Sequence, residues 1–325
     1  MQYQPEYLKE EVYGTEKEDY LKRLETCRKA LVTHPEDKEY LLAYIAIYLQ
    51  RSKQYQECID HCKEVIPGLT IKECIDEARL FNSFSLQFLE RYEEVIELRK
   101  VMYEESDHSY FHLREICDSY EKLKDYPNAI LYYEQMVKDG DGNVEGSVFS
   151  KLAKFYDKVG DYQNAFKHYE LAAQNGVEDS SWHWCMAGRA LAMTGGDVDE
   201  SMFYFKMALK LKPKYEMAHY YLGVSYKSKG DIYMAMHHYS EAIRINPDFH
   251  EGMINLSELI FHEINDIEGA RRMMEEALAL NPKGKALTIL YSNLTLFYRE
   301  IKEFDKEEYY KVKYLESKDL PDDEE

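Results

Sequence analysis

The amino-acid sequence predicts an all-α fold, a solenoid of stacked helix pairs, and two observations carry this prediction. One residue pattern returns every 34 to 37 residues along most of the 325-residue chain. Within each copy, apolar and small residues follow the 3, 4, 3 spacing of a single helical face. Because one helix pair cannot bury its apolar face alone, we expect the copies to stack against one another.

A column of aromatic or β-branched residues marks the start of a helix in each copy. Its members are Tyr20, Tyr55, Tyr92, Tyr126, Tyr162, Val198, Ile232, Ile267 and Phe304. An aspartate precedes many of them, namely Asp19, Asp125, Asp161, Asp197, Asp231 and Asp266. A side-chain carboxylate at that place accepts hydrogen bonds from the first backbone N–H groups of a helix. We therefore predict that a helix begins at each column residue.

Further columns lie three, seven and ten residues after the first and alternate between small and large side chains. The best-kept sets are Ala129/Tyr133/Met136, Ala165/Tyr169/Ala172, Ser201/Phe205/Ala208, Ala235/Tyr239/Ala242 and Ala270/Met274/Ala277. A small residue lets two helix backbones approach, and the ring fills the space beside it. These columns therefore predict buried packing positions and not catalytic or ligand-binding residues.

A first helix precedes each of these second helices. Its small residue recurs as Ala46, Ser83, Cys117, Ala153, Gly188, Gly223 and Ser257. Short turns such as Lys229-Gly230-Asp231 join the two helices, and prolines at 35, 213, 247 and 282 end second helices. The sequence thus predicts antiparallel helix pairs, eight of them over residues 39–317.

Residues 216–249 resemble the tetratricopeptide repeat family. The residues that match its signature are Leu222, Gly223, Tyr226, Ala235, Tyr239, Ala242 and Pro247, with His219 in the place of the signature Trp. The resemblance implies a right-handed superhelix whose first helices line a concave groove that binds peptides or proteins. Some family members clamp a partner's C-terminal carboxylates with an Asn after the small residue. No unit here carries that Asn, so the clamp is not expected.

The chain divides by this reading into three parts. Residues 1–38 form an N-terminal half-repeat and cap, with a helix from near Glu18 to Thr33, and residues 39–317 form the superhelix. The charged run 302–318 predicts a polar C-terminal cap, and residues 318–325 an acidic disordered tail.

Composition excludes several classes of protein. The chain has 41 Lys and Arg against 61 Asp and Glu, and this net charge of −20 argues against nucleic acid as a partner. No run approaches the ~18 apolar residues of a membrane-spanning helix, so no membrane insertion is expected. Six scattered cysteines do not form a disulfide framework, and we expect reduced thiols in a cytoplasmic protein.

No enzyme signature is present, and we predict no catalytic residues, no cofactor and no metal. The glycine-rich stretch 140–146 lacks the Gly-Lys-Ser/Thr ending of a phosphate loop and is interpreted as a turn. Two sets of residues could bind zinc, Cys58, His61 and Cys62 with Cys74, and His108 with His112. We favour buried thiols for the first set and a solvated pair at a helix start for the second.

The predicted groove carries two kinds of side chain. The partner-binding candidates of the middle units are Arg114, Lys151, Lys154, Trp182, Arg189, Tyr220, Tyr221 and Lys227. The first units offer an apolar patch of Tyr40, Ile47, Leu80, Phe84 and Phe88. Basic, aromatic-flanked positions inside an acidic protein predict a partner with an acidic segment and an apolar anchor. The alternative is that the lysines are merely solvated and the half-repeat covers the apolar patch.

The leading functional prediction is a non-catalytic interaction scaffold or adaptor. A regulator whose groove is occupied by a peptide or small ligand stays open, as does a metalloenzyme built on the cysteines and histidines. Self-association is a further alternative, because the apolar patch could be buried in a symmetric homodimer.

Overall fold

A computed structural model of the chain describes residues 17–106, 109–139, 144–176 and 179–318. The chain divides into two compact units, Met1–Val144 and Glu145–Glu325. Every regular element in the described ranges is helical, which confirms the all-α prediction. The predicted acidic tail beyond Lys318, and the first sixteen residues of the predicted cap, lie outside the described residues.

The N-terminal unit contains seven α-helices within its described residues. They are α1 (Lys17–Thr33), α2 (Lys38–Arg51), α3 (Tyr55–Val65), α4 (Lys72–Phe88), α5 (Tyr92–Glu105), α6 (Tyr110–Lys122) and α7 (Tyr126–Asp139). Short 3-10 turns at Pro35–Asp37 and Ile66–Gly68 follow α1 and α3. α1 is the predicted helix of the half-repeat, and the other six form three antiparallel pairs.

The C-terminal unit contains ten α-helices within its described residues. They are α8 (Gly146–Lys158), α9 (Tyr162–Gln174), α10 (Ser180–Met193), α11 (Val198–Leu211), α12 (Glu216–Ser228), α13 (Ile232–Ile245), α14 (His250–Leu259), α15 (Ile267–Ala279), α16 (Gly284–Glu300) and α17 (Phe304–Lys318). A π-helical turn, Ile260–Ile264, continues α14. These five pairs complete the predicted eight.

The predicted helix starts hold for the second helix of all eight pairs in the described residues, but not for Tyr20, because α1 begins at Lys17. From α3 to α17 each begins at its column residue. Five of the predicted aspartates cap their helices by accepting a hydrogen bond from a backbone N–H two or three residues on: Asp125, Asp161, Asp197, Asp231 and Asp266. The expectation is wrong for Asp19, which lies inside the first turn of α1.

The turn inside each pair needs a residue with left-handed backbone. Gly160, Gly195 and Gly230 supply it, with φ of 79°, 75° and 77°. The left-handed residue of the other turns is harder to predict from the sequence, because it carries a Cβ. These residues are Lys53, Glu90, Lys124, Asn265 and Lys302. A Cβ makes this conformation unfavourable, so these turns are held by the packing of the helices on either side.

The close approach predicted from the small residues is present. Gly223 of α12 lies against the ring of Tyr239, and a Cβ built on Gly223 would stand 2.6 Å from that ring. Gly188 has the same relation to Phe205, at 2.7 Å. The small and large columns are buried in both units, which confirms that they form the core.

The C-terminal cap is less polar than predicted. Ser317 is the buried residue of α17, as expected for a helix at the end of a stack. However, Tyr309, Val312 and Leu315 are 56%, 44% and 54% exposed. At steps of three these side chains follow one another along the helix, so part of the surface of α17 is apolar.

Arg99 of α5 is a core residue that the hydrophobic pattern does not predict. Its side chain is 0% exposed. Its Nε donates to Ser83 Oγ at 2.7 Å, and its Nη1 lies 3.0 Å from Nδ1 of His112. The rings of Phe84 and Phe111 have their centroids 5.3 and 5.0 Å from the guanidinium carbon. Hydrogen bonds and cation–π contacts thus compensate part of the cost of burying this charge.

The contact with Arg99 fixes the state of His112. A guanidinium cannot accept a hydrogen bond, so Nδ1 of His112 accepts and its proton sits on Nε2. Burial, with Arg99 beside it, lowers the pKa of His112 to about 4. The prediction of a solvated histidine is therefore wrong for His112, and His108 lies outside the described residues.

We expect Gly223→Ala to lower the free energy of unfolding, measured by urea denaturation. Alanine favours a helix by ~1 kcal/mol over glycine, but the added Cβ would overlap Tyr239. Overpacking of this kind costs ~1–3 kcal/mol. Gly68→Ala is the control, because nothing lies within 4 Å of its added Cβ. Equal stability of Gly223→Ala and the wild-type protein would contradict the close-approach argument.

We expect His112→Gln to flatten part of the dependence of stability on pH. The pKa of His112 is about 4 in the folded protein and lies below the ordinary 6.5. At pH values between these two, the unfolded chain therefore binds a proton at His112 more readily than the folded protein does. The contribution of His112 to the free energy of unfolding is complete at pH values above its ordinary pKa. It is lost as the pH falls toward the folded-state pKa. Glutamine can still accept from Arg99. Urea denaturation of both proteins across this range checks the prediction, and parallel stability curves would contradict it.

Candidate functional site

The predicted groove residues fall in different units of the chain. Arg114 and the apolar patch belong to the N-terminal unit, and the candidates from Lys151 to Lys227 belong to the C-terminal unit. Each set is therefore a separate candidate surface.

Lys154 and Trp182 come together in the C-terminal unit. Lys154, on α8, is exposed, and its Nζ lies 4.9 Å from the ring centroid of Trp182 on α10. The half-buried indole meets Tyr169 edge-on, with centroids 5.4 Å apart, and His183 at 4.9 Å. His183 Nε2 in turn lies 2.8 Å from Ser150 Oγ. The aromatic platform under the lysine is thus fixed from two sides.

Two further lysines lie on α8 with Lys154. Lys151 is half-buried and Lys158 is exposed. Steps of three and four keep the three side chains on neighbouring positions of one helical face. Three lysines therefore follow one another along α8.

Arg189 is held by a carboxylate of its own unit. Its Nη2 donates to Asp157 on α8, and the Tyr169 hydroxyl donates to the same carboxylate oxygen at 3.4 Å. The two charged side chains are only 24% and 20% exposed. Burial lowers the pKa of Arg189, but the charge of Asp157 and its hydrogen bond, together with Tyr221 and Tyr169, outweigh burial, so the pKa is raised. Arg189 therefore serves the packing of α8 against α10, with its charge balanced from within.

Lys227 belongs to a polar ladder across first helices. Its Nζ lies 3.1 Å from one carboxylate oxygen of Glu258, and Asn293 donates to the other oxygen at 3.0 Å. The three residues stand on α12, α14 and α16, so this ladder ties successive pairs together.

The two tyrosines beside this ladder are half-buried. The hydroxyl of Tyr220 accepts from Asn255 at 3.2 Å, and the ring of Tyr221 stacks on Phe205 with centroids 5.3 Å apart. Both tyrosines thus take part in contacts between repeats.

Arg114 of α6 is half exposed and has a carboxylate one turn away. Its Nε lies 3.9 Å from Asp118, and its side chain is 56% exposed. Arg114, Arg189 and Lys227 thus all have carboxylate partners, whereas Lys154 rests on an aromatic ring.

The apolar patch is largely covered. Tyr40 and Ile47 are half-buried against the core that α1 helps to form. Leu80 and Phe84 are also half-buried, and Phe84 faces Arg99. Phe88 alone of the five predicted patch residues is exposed, at 61%, and its ring stacks on Tyr55 at 4.5 Å.

The cysteines are buried, as favoured from the sequence. Cys58, Cys62 and Cys74 are 0% exposed. The thiols of Cys58 and Cys62 donate to the carbonyl oxygens of Ala46 and Ala78 at 3.3 and 3.4 Å. Burial raises the pKa of Cys74 to about 11, so this thiol stays protonated at neutral pH.

The side chains of the described ranges also bear on metal binding and on membrane insertion. Across the four ranges, no group of three or more His, Cys, Asp or Glu side chains is arranged to hold a metal ion. None of the helices in those ranges combines the length and apolarity needed to cross a membrane.

Comparison with known proteins agrees with the fold. Residues 217–249, which span α12 and α13, match the family model of the tetratricopeptide repeat. A curated relative, "Probable biofilm formation methyltransferase WspC" of Pseudomonas putida, is 28% identical over 92 residues. The match covers 28% of this chain and 22% of the relative, so it spans about a fifth of that protein's length.

Two solved structures share the fold over most of the chain. A tetratricopeptide repeat protein from Parabacteroides merdae has a TM-score of 0.56 and 12% identity, covering 74% of this chain and 93% of that one. The C-terminal part of a TPR repeat-containing protein from Cytophaga hutchinsonii has a TM-score of 0.54 and 15% identity, covering 72% and 93%. The chain thus carries a match to the tetratricopeptide repeat in the sixth of the eight antiparallel pairs in its described residues, and it shares the fold of solved tetratricopeptide repeat proteins.

Proposed function

We propose that this protein is a non-catalytic interaction scaffold whose C-terminal unit binds an acidic segment of a partner protein. The observation that supports this most is the exposed Lys154 ammonium resting on Trp182. The ring orders the lysine before a partner arrives, which reduces the entropy lost on binding. A cytoplasmic location is part of the proposal.

The charge of the rest of the protein adds selectivity. The chain carries a net charge of −20, so an acidic segment is repelled by most of its surface. Lys151, Lys154 and Lys158 form a local exception on α8. Binding of an acidic segment would therefore be confined to this helix, and basic segments would be rejected there.

Tryptophan, tyrosine and arginine are the side chains most often responsible for binding energy at protein interfaces. Trp182 fits this role because its ring is half-buried and fixed by Tyr169 and His183. We propose no methyl transfer by analogy with the methyltransferase-named relative, because the match covers 22% of that protein.

A charge-reversal experiment tests the proposal. The site variant combines Lys151→Glu, Lys154→Glu and Lys158→Glu. The control variant combines Lys167→Glu, Lys206→Glu and Lys210→Glu, three exposed lysines of the second helices α9 and α11. Both variants carry the same net charge. Arg189 is left unchanged, because a glutamate there would face Asp157 and destabilise the unit.

Fluorescence anisotropy of a labelled oligoglutamate peptide measures the outcome. We expect the site variant to bind at least about tenfold more weakly than the control variant. In proteins that also carry Trp184→Phe, the fluorescence emission of Trp182 should change when the peptide is added, but only where Lys151, Lys154 and Lys158 are unchanged. Equal weakening in both variants, or no weakening in the site variant, would contradict the proposal. Thermal melting of both variants checks that each remains folded.

A further inference from the structure

The last helix pair of the described residues, α16 and α17, carries large apolar side chains that face water. Leu296 of α16 is 44% exposed, and Phe304 and Leu315 of α17 are 65% and 54% exposed. Single exposed apolar residues are common on protein surfaces. These three, however, occupy positions at which earlier pairs of the same unit contact the next pair.

The last pair repeats the pair of α12 and α13 at an interval of 72 residues. The ring of Tyr226 stacks on His238 with centroids 5.3 Å apart and planes 7° from parallel. Tyr298 and Tyr310, each 72 residues later, stack with centroids 5.3 Å apart and planes 8° from parallel. The second helices α13 and α17 also begin 72 residues apart. Residues at this interval are therefore equivalent in the two pairs.

The equivalents of the three exposed residues pack toward the following pair. They are Val224, Ile232 and Ile243, in the order Leu296, Phe304 and Leu315. All three are half-buried against a core cluster that includes Leu256 and Leu259 of α14. A Cβ built on Gly252 of α14 would stand 3.3 Å from Ile243. In this earlier pair, a first helix thus covers the surface that is open in the last pair.

The pair of α14 and α15 has the same arrangement. Leu278 of α15 lies 35 residues after Ile243, as α15 begins 35 residues after α13. It is half-buried against a core cluster that includes Leu290 and Leu294 of α16. The next first helix therefore covers this position in both pairs that precede the last one.

The covering helix α14 also brings a carboxylate, that of Glu258. Lys227 of α12 holds it at 3.1 Å. Burial raises the pKa of Tyr239 on α13, and Tyr220 and Glu258 raise this pKa further. Glu258 thus lies close enough to influence both Lys227 and Tyr239.

The last pair has a cation at each of the two equivalent places, Arg299 and Lys311. Each has a carboxylate partner on α17, Glu307 at 2.8 Å and Glu308 at 3.3 Å. Both cations remain about half exposed, at 54% and 51%. Exposed pairs of this kind are weak, and each cation has further N–H groups to donate. A second carboxylate can therefore join either cation without displacing its present partner.

We propose that this end surface, formed by Leu296, Phe304 and Leu315 with Arg299 and Lys311, binds an amphipathic helix of a partner protein. The helix docks as α14 does on the earlier pair, with its apolar face on the three exposed side chains. It carries an acidic residue beside the small residue of that face, as Glu258 follows Ser257 in α14. The surface thus continues the interface that joins successive pairs of this unit.

This site does not depend on the proposed acidic-segment site. The end surface lies on α16 and α17, whereas Lys154 and Trp182 lie on α8 and α10. Failure of one proposal would leave the other standing.

The test removes apolar side chains from the end surface of the full-length protein. The site variant combines Phe304→Gln and Leu315→Gln. The control variant combines Phe203→Gln and Leu211→Gln, which are 55% and 56% exposed on the interior helix α11. Each variant loses one phenylalanine and one leucine from a second helix of the same unit, so the general apolar character of the protein changes equally.

The probe is a fluorescein-labelled peptide with the sequence of residues 248–266, which contain α14. Fluorescence anisotropy measures its binding. We expect the site variant to bind the peptide at least about tenfold more weakly than the wild-type protein, and the control variant to bind it within about twofold of the wild-type protein. A peptide of the same composition in scrambled order should bind the wild-type protein as weakly as the α14 peptide binds the site variant.

A charge exchange tests the place of the acidic residue. The second peptide carries Glu258→Lys, and the second protein variant carries Lys311→Glu. We expect Lys311→Glu to weaken binding of the unchanged peptide about threefold and to strengthen binding of the lysine peptide about threefold. The same change in both peptides would contradict the proposed orientation of the helix.

Three further results would overturn the proposal. Equal weakening in the site and control variants would show that the peptide binds any exposed apolar residue. Equal binding of the scrambled peptide would remove the helical pattern from the site. A wild-type dimer in sedimentation that the site variant dissociates would make a second copy of the chain the occupant. Thermal melting checks that both variants remain folded. If the double variant melts early, Leu315→Gln alone repeats the comparison, with an expected loss of about two- to threefold.

Discussion

The close contact between the two helices of a pair, where a small residue of the first helix meets a side chain of the second, is the constraint on which the rest of the structure depends. At Gly223 and Gly188 there is no room for even a Cβ against Tyr239 and Phe205. This contact sets how closely the two helices of a pair approach, and therefore which faces remain to meet the next pair. The positions of Lys154 and Trp182 on neighbouring first helices follow from that repeated spacing.

Helix starts, helix pairs and buried columns could be predicted because each depends on residues close together in the chain or on a repeated interval. Charge pairs were not predicted, because they depend on how one pair stacks on the next. Asp157 and Arg189 are 32 residues apart, and Lys227 and Glu258 are 31 apart. Opposite charges about one repeat apart are thus a signal that could have identified these partners. Buried Arg99 carries no such signal, because its contacts join three helices.

The proposed site of the C-terminal unit would place the cation on the protein and the carboxylates on the partner. There Lys154 rests on Trp182, and the indole contacts Tyr169 and His183. The repeat architecture positions these side chains, so exchanging a few first-helix residues would change the charge that such a surface prefers.

The turns within the pairs bear on how this chain tolerates change. Lys53, Glu90, Lys124 and Lys302 hold a left-handed backbone that glycine adopts without strain. Each such residue costs of order 1 kcal/mol, so these four turns together carry a strain of several kcal/mol. Sequence drift toward glycine or asparagine at these places would release that strain. The stability gained at these turns could therefore offset destabilising substitutions in the binding surfaces during evolution.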